Sequence, residues 1–228
     1  MPKKILPQNL YLEIDGTDIF PSSQVTNLGV ILDETLSLDD HVNSICRKAN
    51  YHLYCIGKIR HLLDERSCKT AINSLVISRL DFANSLLVGS PSILHKRLQS
   101  VQNNAARLIT RTKKFDHITP VLTDLHWLPV SVRGNYKILL MVYKCLNHIA
   151  PLYLQSLLSL YAPSRSLRSS HDVTSLVKPM PKRAFGNRAF QFVAPALWNA
   201  LPLNIRESPS VSSFKTNLKT YLFRNAYF

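Results

Sequence analysis

Apolar residues recur with helical spacing along most of this chain. Leu38, Val42, Ile45, Ala49, Leu53, Ile56, Ile59 and Leu63 line one side of a long amphipathic helix. Asp64 is placed to cap a second helix, carried by Ala71, Leu75, Ser78, Phe82 and Leu86. A third carries Leu94, Leu98, Val101, Ala105 and Leu108 at spacings of 4, 3, 4 and 3, which makes one continuous stripe. Gly89 marks the break before it, because glycine enters the left-handed region without steric cost. Ser90 is then expected as a cap and Pro91 as the first helical residue.

The pattern continues toward the C-terminus. Thr119-Pro120 opens a short helix, and Ser131 caps one holding Tyr136, Leu139, Tyr143, Leu146 and Ile149, which Ala150-Pro151 ends. Leu152 to Leu160 adds a short amphipathic piece, Phe192 and Trp198 anchor residues 190–203, and Ser210 caps a last helix with Phe214, Leu218, Tyr221 and Leu222 inward. Near the start, residues 10–14 and 25–32 read as short strands, with a turn at Asp15-Gly16 and a bulge or a close backbone approach at Gly29. The expected fold is mainly α, a helical bundle preceded by a short β-hairpin at residues 10–32 and followed by a basic helical C-terminal extension. Residues 162–188, rich in Ser, Pro and Arg, read as a linker or basic extended arm. No fixed-period repeat is evident, and no run of about 18 apolar residues offers a transmembrane helix.

Charge changes the picture. The chain carries a net charge of +14, distributed unevenly. Residues 1–40 are net −5, residues 41–114 net +10, residues 115–160 net +1 and residues 161–228 net +8. Two basic blocks flanking a near-neutral middle point to a polyanion, since phosphate contacts draw on Lys and Arg through counterion release. A basic soluble surface without a ligand would leave the same signature.

Catalytic motifs are missing. There is no phosphate-cradling glycine loop, no G-x-S-x-G and no H-E-x-x-H. Asp39-Asp40 is the sole adjacent pair of aspartates, and its place after Ser37 at a helix start fits capping and the helix dipole better than metal binding. His117 and His126 have no metal-ligand spacing. Cys46, Cys55, Cys68 and Cys145 form no C-x-x-C pair, so reduced core thiols are expected rather than zinc or a disulfide framework. No cofactor is implied. Trp127 is expected to anchor a connection rather than stack a base.

Several stretches resemble the C-terminal part of a non-LTR, LINE-type retrotransposon reverse transcriptase. They are LGVILDETLSLDDHV (28–42), ICRKANYHL (45–53), SRLDFANSLLVGSP (78–91), LQSVQNNAARLI (98–109), HITPVLTDLHWLPVSVR (117–133), APALWNALPLNIR (194–206) and FKTNLKTYLF (214–223), in the family's order. The resemblance implies a palm-end hairpin at residues 1–36, a thumb-like helical bundle at 37–114 and a helical continuation at 115–161. The 162–188 linker and a C-terminal helical segment at 189–228 would come after these. The family's catalytic aspartates belong to a palm that would lie upstream, so the expectation is a non-enzymatic fragment with no membrane role. It would act in the cytoplasm or nucleus and grip a DNA or RNA template–primer duplex, with the rest of the polymerase as a possible partner. By resemblance the duplex-facing role falls to Arg47, Lys48, Arg60, Arg79 and Arg107. The residue pattern adds Lys58, Lys96, Arg97, Arg111, Lys113 and Lys114. The alternative is a non-catalytic helical module whose basic surface meets an acidic protein.

Overall fold

The computed structural model describes residues 11–161, 174–180, 186 and 188–228. It divides into two units, residues 1–44 and 45–228.

The first unit holds two antiparallel hairpins rather than the single one expected. β1 (Leu12–Ile14) pairs with β2 (Thr17–Ile19), and β3 (Gln24–Asn27) pairs with β4 (Val30–Asp33). Turn chemistry explains the difference. Both hairpins close on two residues with positive φ, Asp15 (50°) with Gly16 (74°), and Leu28 (47°) with Gly29 (80°). Two successive positive φ values define the tight turn whose twist matches paired strands. Gly29 is thus a turn residue and not a bulge. Leu28, which carries no turn signal, masks the second hairpin in the sequence.

Asp33 ends β4 and organises the turn into the first helix. Its carboxylate accepts from the Thr35, Ser37 and Leu38 amides at 3.0, 3.0 and 2.9 Å and from the Ser37 hydroxyl at 3.0 Å. The Ser37 hydroxyl in turn accepts from the Asp39 amide at 3.1 Å. α1 (Asp39–Lys58) starts there with Asp39 and Asp40 in its first turn, where acids meet the positive dipole end.

In the second unit, α1 continues and a 3₁₀ turn comes after it at Arg60–Leu62. The Asp64 side chain accepts from the Ser67 amide at 2.8 Å and so caps α2 (Glu65–Ile72), as its position indicates. The chain then widens into a π-helical turn at Asn73–Ile77 before α3 (Ser78–Asp81). This segment overturns the expected stripe. The buried positions are Cys68, Ile72, Val76, Ile77 and Leu80, whereas Leu75, Phe82 and Leu86 are exposed. The π turn shifts the helix face by a residue, and the helix stops at Asp81. Phe82 and Leu86 therefore lie beyond it, on either side of Ala83 in the left-handed region (φ 50°).

α4 (Ser92–Thr110) buries Leu94, Leu98, Val101 and Ala105 as expected, together with Gln102, Ala106 and Ile109. Gly89 has its positive φ, 79°. Ser90, however, does not cap α4; its hydroxyl donates back to the Leu87 carbonyl at 2.6 Å and closes the preceding turn. α5 (Thr119–Asp124) is next, with Pro120 in its first turn. α6 (Val130–Leu146) begins after Pro129 and has no side-chain cap from Ser131. α4 packs against α2, α5 and α6.

The C-terminal part has its own core. Leu139, Val142 and Tyr143 of α6 meet Trp198 of α8 (Phe190–Asn199) and Phe214 and Leu218 of α10 (Val211–Tyr227). The short helices α7 (Leu152–Gln155) and α9 (Leu203–Arg206) lie between these along the chain. Tyr143 and Phe214 stack at 4.3 Å between ring centroids. Ser210 caps α10 by accepting from the Ser213 amide at 3.1 Å. Of residues 162–188, those at 174–177 are held in place. Leu176 pairs with Leu160 and is buried, and Asn199 brackets its backbone at 2.9 and 2.8 Å. Residues 162–173, 181–185 and 187 lie outside the described residues.

Candidate nucleic-acid interface

The clearest cationic surface runs along α1. Arg47, Tyr51, Tyr54 and Lys58 recur at spacings of 4, 3 and 4, so their side chains leave one side of the helix in a row. The opposite side carries the buried Ile45, Ala49, Leu53 and Ile56, which fixes the row outward. Tyr51 and Tyr54 are 64% and 61% exposed, unusual for two large rings in one row. Lys58 Nζ stands 4.6 Å from the centroid of the Tyr54 ring. Lys48 is exposed beside the row. No Asp or Glu occurs between His41 and Leu63, so nothing on α1 after its first turn neutralises the row. Charge and spacing mark the cations in the sequence; the exposure of the tyrosines is the part that sequence does not show.

A second basic–aromatic feature lies in the loop after α4. Lys113 and Lys114 are exposed next to Phe115, which is 91% exposed, with Lys114 Nζ 5.8 Å from its ring. Arg60 ties the two features to one end of the bundle. Its Nε donates to the Leu108 carbonyl at 2.7 Å, Nη2 to Ile109 at 2.7 Å and Nη1 to Leu63 at 2.6 Å. The end of α1 is thereby pinned to the end of α4, just before the loop. A cation on the last carbonyls of a helix also answers its negative dipole end.

The expected cations thus divide. Arg47, Lys48 and Lys58 form the α1 row. Lys96 and Arg97 are exposed near the start of α4, and Arg97 lies near Cys46, whose thiol burial pushes up while this guanidinium opposes the rise. Arg111 ends α4 in the left-handed region, exposed and near Cys68. Among these cations, Arg60, Arg79 and Arg107 bond to groups within the protein. Besides Arg60, Arg79 donates to the Leu75 carbonyl at 3.1 Å and meets His52 Nε2 at 3.2 Å. Arg107 donates to the carbonyls of Lys113 and, at 2.8 Å, of Asp116, holding the basic loop in shape. Arg60, Arg79 and Arg107 therefore position the surface, and periodicity alone does not separate them from the outward cations.

Two glutamines couple stretches far apart in sequence. Gln102 Nε2 donates to the Leu128 carbonyl at 2.9 Å, and the Val130 amide donates to Gln99 Oε1 at 3.0 Å. The turn holding Trp127, itself buried, is thus seated on α4. Among the described residues no group of three or more His, Cys, Asp or Glu side chains is placed to hold a metal ion, and no helix is long and apolar enough to cross a membrane.

Comparison with protein-family models, with curated proteins and with solved structures finds no match for this chain.

Proposed function

We propose that the chain binds nucleic-acid duplex through this basic helical surface, as the thumb and following region of a non-LTR reverse transcriptase. The carrying observation is the acid-free row of Arg47, Tyr51, Tyr54 and Lys58 on the outer side of α1. A helix with an apolar back and a cationic front can lie along a phosphate backbone. Lysine and arginine contacts to phosphate position a protein without reading bases, so binding is sequence-tolerant. The exposed rings add flat, amphipathic area beside the cations, suited to sugar or base faces.

The test is the affinity for a labelled RNA–DNA template–primer duplex across a salt series, for the wild type and for Arg47→Ala with Lys58→Ala. Loss of two phosphate contacts lowers the log–log salt slope by about 2 and weakens binding to unrelated duplexes alike. An unchanged slope removes α1 from the interface. Absence of wild-type binding at low salt overturns the reading, and tight binding to an acidic protein instead would put a protein partner in its place.

A further inference from the structure

A cavity of about 390 Å³ opens between the α2–α3 helix, the 126–128 turn, α6 and α10. It lies apart from the α1 row and within the size range of small-molecule sites. Three cations, Arg133, Lys137 and Lys219, line it against one carboxylate, Asp81. That carboxylate is already spoken for. Arg133 Nη1 reaches both of its oxygens, at 3.1 and 3.0 Å, and the Lys137 ammonium donates to the Asp81 backbone carbonyl. The cavity wall is therefore cationic by two charges.

Its wall also holds unengaged donors. Trp127 and Tyr136 line the cavity, and neither the indole N–H of the one nor the hydroxyl of the other carries a hydrogen bond among the described residues. Lys219, exposed on α10, is likewise without a partner there. Desolvation lowers the Lys137 pKa, Asp81 opposes that and Arg133 adds to it, so an anion beside this ammonium would relieve the strain on its charge. Flat surfaces complete the wall. Trp127 lies under the Arg133 guanidinium at 5.9 Å, and the His126 ring stacks on Phe223 at 5.8 Å. The π-helical turn is the fourth sign. Its first and last residues, Asn73 and Ile77, both face this cavity, and such distortions of a helix gather at functional sites.

We propose that this cavity binds a phosphate monoester carried on a planar base, with Arg133, Lys137 and Lys219 holding the phosphate and Trp127 and Tyr136 donating to the edge of the base. A phosphate carries close to two negative charges at neutral pH and offers acceptors only, which matches both the charge and the donor surplus. The source is either a free mononucleotide or the phosphorylated end of a strand. This site does not depend on the α1 surface, so the two readings stand or fall separately.

The full chain, labelled with ¹⁵N, is titrated with AMP at low ionic strength, and the two tryptophan indole signals are monitored. The indole of Trp198 donates to the Thr174 carbonyl at 2.8 Å in the other core and serves as the internal reference. Saturable movement of the Trp127 signal with the Trp198 signal still is the expected result, and Trp127→Phe assigns the peak. Lys219→Glu, on an exposed residue, weakens AMP about tenfold or more. Lys215→Glu, exposed on the same helix and outside the cavity, makes the same charge change and leaves AMP binding unaltered. A 5′-phosphorylated dinucleotide binding more tightly than AMP assigns the site to a strand end, and AMP binding as well or better assigns it to a free nucleotide. Equal loss in both charge variants, inorganic phosphate binding as well as AMP, or no movement of the Trp127 signal at about 10 mM AMP overturns the proposal.

Discussion

Arg133 and Asp81 meet across 52 residues of sequence and join three parts of the second unit. The guanidinium that grips the Asp81 carboxylate also donates from Nε to the Leu128 carbonyl at 2.9 Å. The Lys137 ammonium reaches the Asp81 backbone carbonyl from the next turn of α6. The end of α3, the Trp127 turn and α6 thus share one ionic node. The two side chains are only 14% and 36% exposed, so removing one leaves a poorly solvated charge. Asp81→Asn is expected to lower stability by about 1–3 kcal/mol. Arg133→Lys keeps the charge, loses the Nε bond and costs about 1 kcal/mol. Chemical denaturation of the single and double variants measures the coupling; a coupling near zero would reduce the pair to an ordinary surface contact.

Gly134 lets α6 approach the 84–88 segment closely in the same region. A Cβ placed there would sit 2.8 Å from Val88 Cγ2 and 3.2 Å from the Asn84 carbonyl oxygen. Gly134 lies inside α6, where alanine normally stabilises by about 1 kcal/mol. Here the clash reverses the sign, and Gly134→Ala is expected to destabilise by about 1–3 kcal/mol. A raised Tm in this variant would show that α6 and the 84–87 turn can separate without cost.

The range of each interaction decides whether the sequence shows it or hides it. Caps are local, and Asp64 and Ser210 cap their helices as their positions indicate. The α4 stripe is legible because all of it lies on one uninterrupted helix. The α2–α3 stripe is not, because spacing cannot register a π turn at Asn73–Ile77. Proximity along the chain offers Asp81 the neighbouring Arg79, but tertiary packing selects Arg133. The candidate surface divides in the same way. Outward cations such as Arg47 and Lys58 are legible from amphipathicity, whereas the bonds that engage Arg60 and Arg107 depend on where the end of α4 falls.

Asp33 makes the first unit acid-sensitive. Burial raises its pKa, but hydrogen bonds from Thr35, Ser37 and Leu38 outweigh burial and hold it well below the ordinary 3.8. A carboxylate with a depressed folded pKa stabilises above its unfolded pKa, and that contribution fades as pH falls through the folded value. The turn between β4 and α1 should therefore loosen progressively below about pH 4. Protection of the Thr35, Ser37 and Leu38 amides against exchange, measured by NMR relative to the intrinsic rate at each pH, should fall away there. Asp33→Asn should show fast exchange at these amides already at neutral pH. Wild-type protection that stays constant down to about pH 2 would remove Asp33 from this role.

The two kinds of cation make opposite predictions. Arg60 spends its guanidinium on three carbonyls, two of them at the end of α4, and is half-buried. Arg60→Ala orphans those carbonyls and releases the end of α1, so a loss of about 1–3 kcal/mol is expected. Arg47 is exposed, and Arg47→Ala should change stability by less than about 0.5 kcal/mol. Duplex affinity should respond in the reverse sense. At a temperature where both variants are folded, Arg47→Ala should lower the salt slope by about one, because a phosphate contact is lost outright. Arg60→Ala should leave the slope near the wild-type value, since its charge already faces carbonyls. Urea denaturation and the salt series on the same two proteins decide the matter together. A slope lowered by Arg60→Ala and untouched by Arg47→Ala would invert the assignment and move the interface from the outer side of α1 to the end of the bundle.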